Sequence, residues 1–239
     1  MTTNALRHDN GERLDLGHPE QVAFEIDAEL RALPVLNTPN CRAVRRAYTQ
    51  NLRRAEPGFV LDVARELIRS YGHRWLAYEL IHMHQAAFRS IGETELEELG
   101  QGIDSWGAVD SFARTLSGPA WLRGQVPDRL IHRWACSPDR WWRRAALVST
   151  VALNVRSEGG PGDVPRTLAV CRLLAADADD MVVKALSWAL RELVVHDPDA
   201  VCRFLDEHEA ALAARVKREV RNKLTTGRKN PRAGRKGAT

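Results

Sequence analysis

Proline falls again and again at the start of an apolar segment with helical spacing. Pro39, Pro57, Pro127, Pro138, Pro165 and Pro198 each precede or open such a run. A proline has no amide N–H to give and fixes φ near the helical value, so the first turn of a helix is where it is tolerated. Placed this way, these prolines punctuate the chain into short helices. The spacing predicts helices over 41–54, 58–71, 74–88, 127–136, 139–155, 165–176, 180–195 and 198–213, with Gly72 ending the second. No stretch alternates β-branched and polar residues, and no Asn-Gly or Asp-Gly turn joins two such runs. The glycine-rich segment 156–164 reads as a connection between helices.

The helices repeat. With an offset of 40 residues, Asp139-Arg-Trp-Trp-Arg-Arg-Ala-Ala aligns with Asp179-Asp-Met-Val-Val-Lys-Ala-Leu. Asp139 meets Asp179, Arg144 meets Lys184, and Ala145 meets Ala185. Each copy opens on an acidic residue, carries a basic residue five positions later, and continues into apolar positions that need a neighbouring helix. A helical pair recurring near 40 residues fits HEAT-like repeats. The expected architecture is all-α: a HEAT-like repeat solenoid of antiparallel helix pairs with a concave face. Its expected bounds are 20–225, flanked by a flexible N-terminus (1–19) and a disordered basic tail (226–239).

Charge narrows the partners. The chain carries net +4, but residues 215–239 hold ten Lys/Arg against one acidic residue, leaving net −5 on residues 1–214. The basic end reads as an attraction for phosphate through counterion release. No run approaches the roughly 18 apolar residues of a membrane helix, and residues 1–15 lack the apolar core of a signal peptide. The expected location is therefore cytoplasmic. Cys41, Cys136, Cys171 and Cys202 form no C-x-x-C pair, so reduced, buried or inert thiols are expected. His82 and His84 stand two apart, which points them in different directions on a helix and argues against a shared metal.

The chemistry concentrates between 104 and 195. Trp106 and Asp110 are four apart, a spacing that stacks them on one helix face. An indole face attracts cations, and a carboxylate beside it stabilises developing positive charge. Lys184 and Trp188 have the same spacing. In the repeat register, Arg144 falls on the same side as that pair. A concave side holding two indoles, one carboxylate and two cations would bind phosphates through the cations and serve a positive reacting group through the carboxylate. Arg143 and Arg123 are further candidate phosphate contacts. Trp75, Trp121, Trp134, Trp141 and Trp142 are assigned to packing, His73 to a helix start, and Arg191-Glu192 to capping or an ion pair between repeats.

Three motifs stand in order: Trp106-Gly-Ala-Val-Asp110, Trp141-Trp-Arg-Arg144-Ala-Ala, and Trp188-Ala-Leu-Arg-Glu192. In this the chain resembles the AlkD-type HEAT-like-repeat alkylpurine DNA glycosylases, the bacterial DNA alkylation repair family, from about Thr38 to Lys223. The interval from Asp110 to Arg144 is close to that family's, and the later interval is lengthened by the glycine-rich loop. The resemblance implies excision of cationic N3- or N7-alkylated purines from duplex DNA, by a monomer with no metal and no diffusible cofactor. It implies Asp110, Trp106, Trp188 and Arg144 as the active site, with Asp110 stabilising the sugar cation and positioning water. Trp106 and Trp188 would touch the damaged nucleotide, and Arg144 would hold a phosphate. One departure is local: Ala32-Leu-Pro-Val-Leu36 precedes Asn37-Thr38-Pro39 where the family has L-G-[IV], and Ile26 stands near the place of a family aromatic. Two other classes of function fit the same chain. One is a HEAT-repeat binder of distorted or branched DNA without excision. The other is a protein-interaction scaffold.

Overall fold

The computed structural model of the chain describes residues 17–230. Of the expected flexible start (1–19), residues 1–16 lie outside the described residues, as does the end of the basic tail (231–239), while Pro19 already opens the first helix. Every regular element among those described is helical, in agreement with the all-α expectation. They form two compact units that divide between Leu99 and Gly100.

The first unit contains α1 (Pro19–Arg31), α2 (Thr38–Asn51), α3 (Pro57–Tyr71), α4 (Arg74–Met83), α5 (Gln85–Ser90) and α6 (Glu93–Gly100), the last ending at the boundary. Prolines open α1, α2 and α3, and the Asn37 side chain accepts from the Asn40 amide to cap α2 at 2.9 Å. Gly72 ends α3 at φ 72°, a left-handed stop that suits glycine. Helices α1 and α3 pack together, as do α3 with α4 and α2 with α4. The core comprises residues such as Ile26, Val63, Leu67, Leu76, Tyr78 and Ile81. Its buried charges are paired. Asp27 accepts from His73 and Arg31, each at 2.8 Å, and Glu79 accepts from Arg45 at 2.9 Å and Arg42 at 3.3 Å.

The second unit begins its helices with one long run. Helix α7 (Trp106–Phe112) passes into a π-helical turn (Ala113–Ser117) and then α8 (Gly118–Leu122). The wide turn has a sequence cause. Pro119 has no N–H for the carbonyl of Thr115, and its ring would clash there, so the backbone must open just before it. Gly118 allows the neighbouring helix to close in. A Cβ at Gly118 would lie 2.8 Å from the Ala113 carbonyl oxygen and 2.9 Å from both the Ser149 carbonyl oxygen and the Ala152 methyl. The Ser117 and Ser149 hydroxyls meet there at 2.7 Å.

Beyond it come α9 (Asp128–Ala135), α10 (Arg140–Ala152), α11 (Val164–Leu173), α12 (Asp180–Leu193), α13 (Pro198–Glu207) and α14 (Ala214–Thr226). They form two layers. Helices α7, α10, α12 and α14 pack in succession, while α9 and α11 lie against α10, and α11 and α13 against α12. The 40-residue repeat is visible here. Asp139 caps α10 by accepting from the Trp141 amide at 2.8 Å, and Asp179 caps α12 by accepting from Met181 at 2.9 Å. The equivalent helices α10 and α12 are direct neighbours.

Several boundaries differ from the sequence expectation. The helix expected over 74–88 breaks at His84, whose extended backbone lets its imidazole cap α5 through the Ala87 amide at 3.1 Å. The helix expected to reach 213 ends at Glu207, where His208 leaves the helix and packs on the Phe204 ring at 4.6 Å. The connection at 156–164 holds one 3-10 turn, Arg156–Glu158. Basic residues 215–226 are helical, with Glu219 buried beneath them. Trp121 is fully buried, and Trp134 and Trp142 form a ring cluster with Phe112, with centroids 4.8–5.9 Å apart. Trp75 and Trp141, assigned to packing, are only half-buried and carry Arg42 and Arg140 over their rings at 5.8 and 4.7 Å. Among the cysteines, Cys171 is buried but Cys136 and Cys202 are exposed; no disulfide joins any of them. No described helix is long and apolar enough to cross a membrane.

Candidate functional site

Ser105 starts the site. Its side chain accepts from the Ala108 amide at 3.3 Å and fixes the first turn of α7. Trp106 stands in that turn with 62% of its surface exposed. Indoles are large apolar groups, and one held in water at a helix start has given up burial that the other tryptophans of this unit largely obtain. Asp110 follows one turn later on the same face, at the i, i+4 spacing that brings β-carbons to within about 6 Å.

Arg144 reaches Asp110 from α10. Its Nε and Nη2 donate to the two carboxylate oxygens, each at 2.8 Å, and its Nη1 donates to the Met181 carbonyl on α12 at 2.6 Å. The fork therefore ties three successive helices of one layer together. Arg144 is buried, with only 7% of its side chain exposed, against 19% for Asp110. The sequence expectation gave Arg144 a phosphate to hold. Here its donors face Asp110 and Met181 instead, and its geometry is that of a group orienting the carboxylate. A paired carboxylate still has its outer lone pairs, and Asp110 keeps the more exposed side of the pair.

Trp188 stands on α12, half-buried. Its indole N–H donates to Glu192 at 2.9 Å, and the Arg114 guanidinium lies over its ring, 5.6 Å from the centroid. Arg114 was not among the sequence candidates. It is four residues beyond Asp110, but it sits in the π-helical turn, where ordinary helical spacing no longer reports the face. It also binds Glu158 in the glycine-rich connection.

The other candidates are engaged locally. Lys184 donates to Asp180 on its own helix at 2.6 Å. That hydrogen bond, with the charges of Lys184 and Arg215, holds the Asp180 carboxyl below the usual carboxylate range despite partial desolvation. Arg143 donates to Asp177 at 2.7 Å and to the Ser137 and Pro138 carbonyls, which closes the turn before α10. Arg123 is exposed at the C-cap of α8. Arg191 approaches Glu219 of α14 to 4.0 Å, the inter-helix pair expected of it, while Glu192 serves Trp188. No cluster of His, Cys, Asp and Glu among the described residues has the makings of a metal site.

The structure thus joins Asp110 directly to Arg144, sets Trp106 one turn from Asp110, and connects α7 to Trp188 through Arg114. A family model described as DNA alkylation repair enzyme matches residues 31–224. No curated protein and no solved structure matches the chain.

Proposed function

Because the chain belongs to the DNA alkylation repair enzyme family, we propose that it hydrolyses the N-glycosidic bond of cationic N3- or N7-alkylated purines in duplex DNA. The observation that carries this reading is the exposed Trp106 standing one turn from a carboxylate that Arg144 holds in a fixed plane.

The chemistry asks little of the protein. An alkylated purine already bears positive charge, so when the bond from C1′ to N9 breaks, its electron pair neutralises the departing base and no acid is needed. The sugar is left with oxocarbenium character. Asp110 stabilises that charge and takes a proton from the attacking water as the new C1′–O bond forms. Trp106 and Trp188 contact the positive nucleotide through their ring faces. Lys184, Arg143 and Arg123 contribute to phosphate attraction from the surrounding surface. Neither metal nor diffusible cofactor enters the scheme.

The test is release of free base from duplex DNA carrying 7-methylguanine. The wild-type protein releases it, and Asp110→Asn reduces the rate about 100-fold or more while still binding the duplex. A second reading is a DNA binder without excision, in which the Asp110–Arg144 pair serves only to join α7 to α10. It gains support if the wild-type protein binds the duplex and frees no base. A protein with neither property would be a scaffold for other proteins.

A further inference from the structure

Trp188 is held from two sides by groups that have no part in the scheme above. Glu192, one turn along α12, accepts its indole N–H at 2.9 Å. Arg114, on the neighbouring helical run, covers its ring at 5.6 Å and is itself tied to Glu158. The Arg114 Nε–H is buried with no hydrogen-bond partner. An arginine with 31% of its side chain exposed would normally turn that donor to water or to an acceptor. This one lies over the indole instead.

We infer that Arg114 and Glu192 are positioning residues that fix the Trp188 ring for the damaged nucleotide, an inference that rests on the glycosylase reading. A tryptophan side chain has two rotatable bonds. A hydrogen bond at the ring edge and a planar cation on one face together remove both freedoms before substrate arrives. Binding then loses less entropy, and the ring is aligned when charge develops. With Arg114 over one face, the opposite face of Trp188 is the one for the nucleotide. The Glu158 carboxylate pairs with the guanidinium, so the cation behind the ring does not stand alone against a positive substrate.

Two measurements test this. In 7-methylguanine release, Arg114→Ala and Glu192→Ala each lower kcat roughly 10- to 100-fold, with KM changed less. Each double variant with Trp188→Ala is no slower than Trp188→Ala alone, because residues acting through one ring are not additive. Glu192→Gln retains most of the rate, since its amide oxygen accepts the same bond. Losses that add to that of Trp188→Ala overturn the inference. The second measurement needs no activity. The Trp188 indole N–H resonance, identified by its loss in Trp188→Phe, moves upfield in Glu192→Ala and stays near its place in Glu192→Gln. An unmoved resonance in Glu192→Ala overturns the inference even if base release is intact. A wild-type protein that frees no base refutes the glycosylase reading and leaves this arm to decide the ring's anchoring.

Discussion

Arg144 and Asp110 meet through two parallel N–H···O bonds of 2.8 Å, across 34 residues of sequence and between two helices. Bidentate pairs of this kind are strong and geometrically specific. With Arg144 buried and its third nitrogen on the Met181 carbonyl, removing the guanidinium leaves a carboxylate and a carbonyl without donors. Arg144→Ala should therefore cost about 3 kcal/mol of stability, a fall of about 6–12 °C in Tm for a chain of this size. Arg144→Lys recovers only part, since an ammonium cannot reproduce the fork. Calorimetry on both variants checks it, and an Arg144→Ala protein melting with the wild type would show that the pair contributes nothing.

Trp106 offers the complementary case. At 62% exposure its removal uncovers little core, so Trp106→Ala should melt within about 2 °C of the wild type. Base release should nonetheless fall by about 5-fold or more, the cost of losing a cation–π contact of about 1 kcal/mol or above. Equal melting with unchanged release would assign Trp106 to neither fold nor function.

Helix starts were legible because proline and capping aspartate are local signals, and Asp139 and Asp179 cap α10 and α12 as the repeat requires. The Trp106–Asp110 pairing was legible because it needs only one turn of α7. What lay beyond reach depends on contacts distant in sequence or on a change of helical period. Arg144 turns inward because Asp110 and Met181 converge on it from other helices, which its own segment does not reveal. Arg114 was hidden by the π-helical turn that Pro119 brings about. Trp75 reads as core by composition, yet it is only half-buried, with Arg42 of α2 over its ring.

The π-helical turn itself is testable through Gly118. An added methyl there meets two carbonyl oxygens and the Ala152 methyl at 2.8–2.9 Å, and the oxygens belong to helical backbone that cannot step aside. Gly118→Ala should destabilise by about 2 kcal/mol through overpacking, against the usual benefit of alanine in a helix. Denaturant unfolding checks the sign: a stabilised variant would mean that α10 yields where the packing says it is fixed.

Acid stability should depend on Asp27 in the first unit. Burial pushes its carboxyl up, but hydrogen bonds from His73 and Arg31 together outweigh that and hold it below its ordinary value of 3.8. A carboxyl depressed by folding contributes stability that is fully present above its unfolded value and is lost as pH falls through the folded one. The loss is therefore expected below about pH 4. In Asp27→Asn this part of the acid slope should vanish, leaving a variant that is less stable at neutral pH but loses less between pH 4 and 2. Parallel acid-unfolding curves for the two proteins would contradict the assignment.

The basic end of the chain is expected to add to DNA affinity. Residues 231–239 include Arg232, Arg235 and Lys236. Each cation that neutralises a phosphate steepens the fall of log affinity with log salt by about 0.9. Deleting 231–239 should therefore flatten that slope by up to about 2.7. Duplex binding measured from low to moderate salt decides it. An unchanged slope would place phosphate attraction elsewhere, on cations such as Arg218 and Arg228, which are exposed at and just beyond α14.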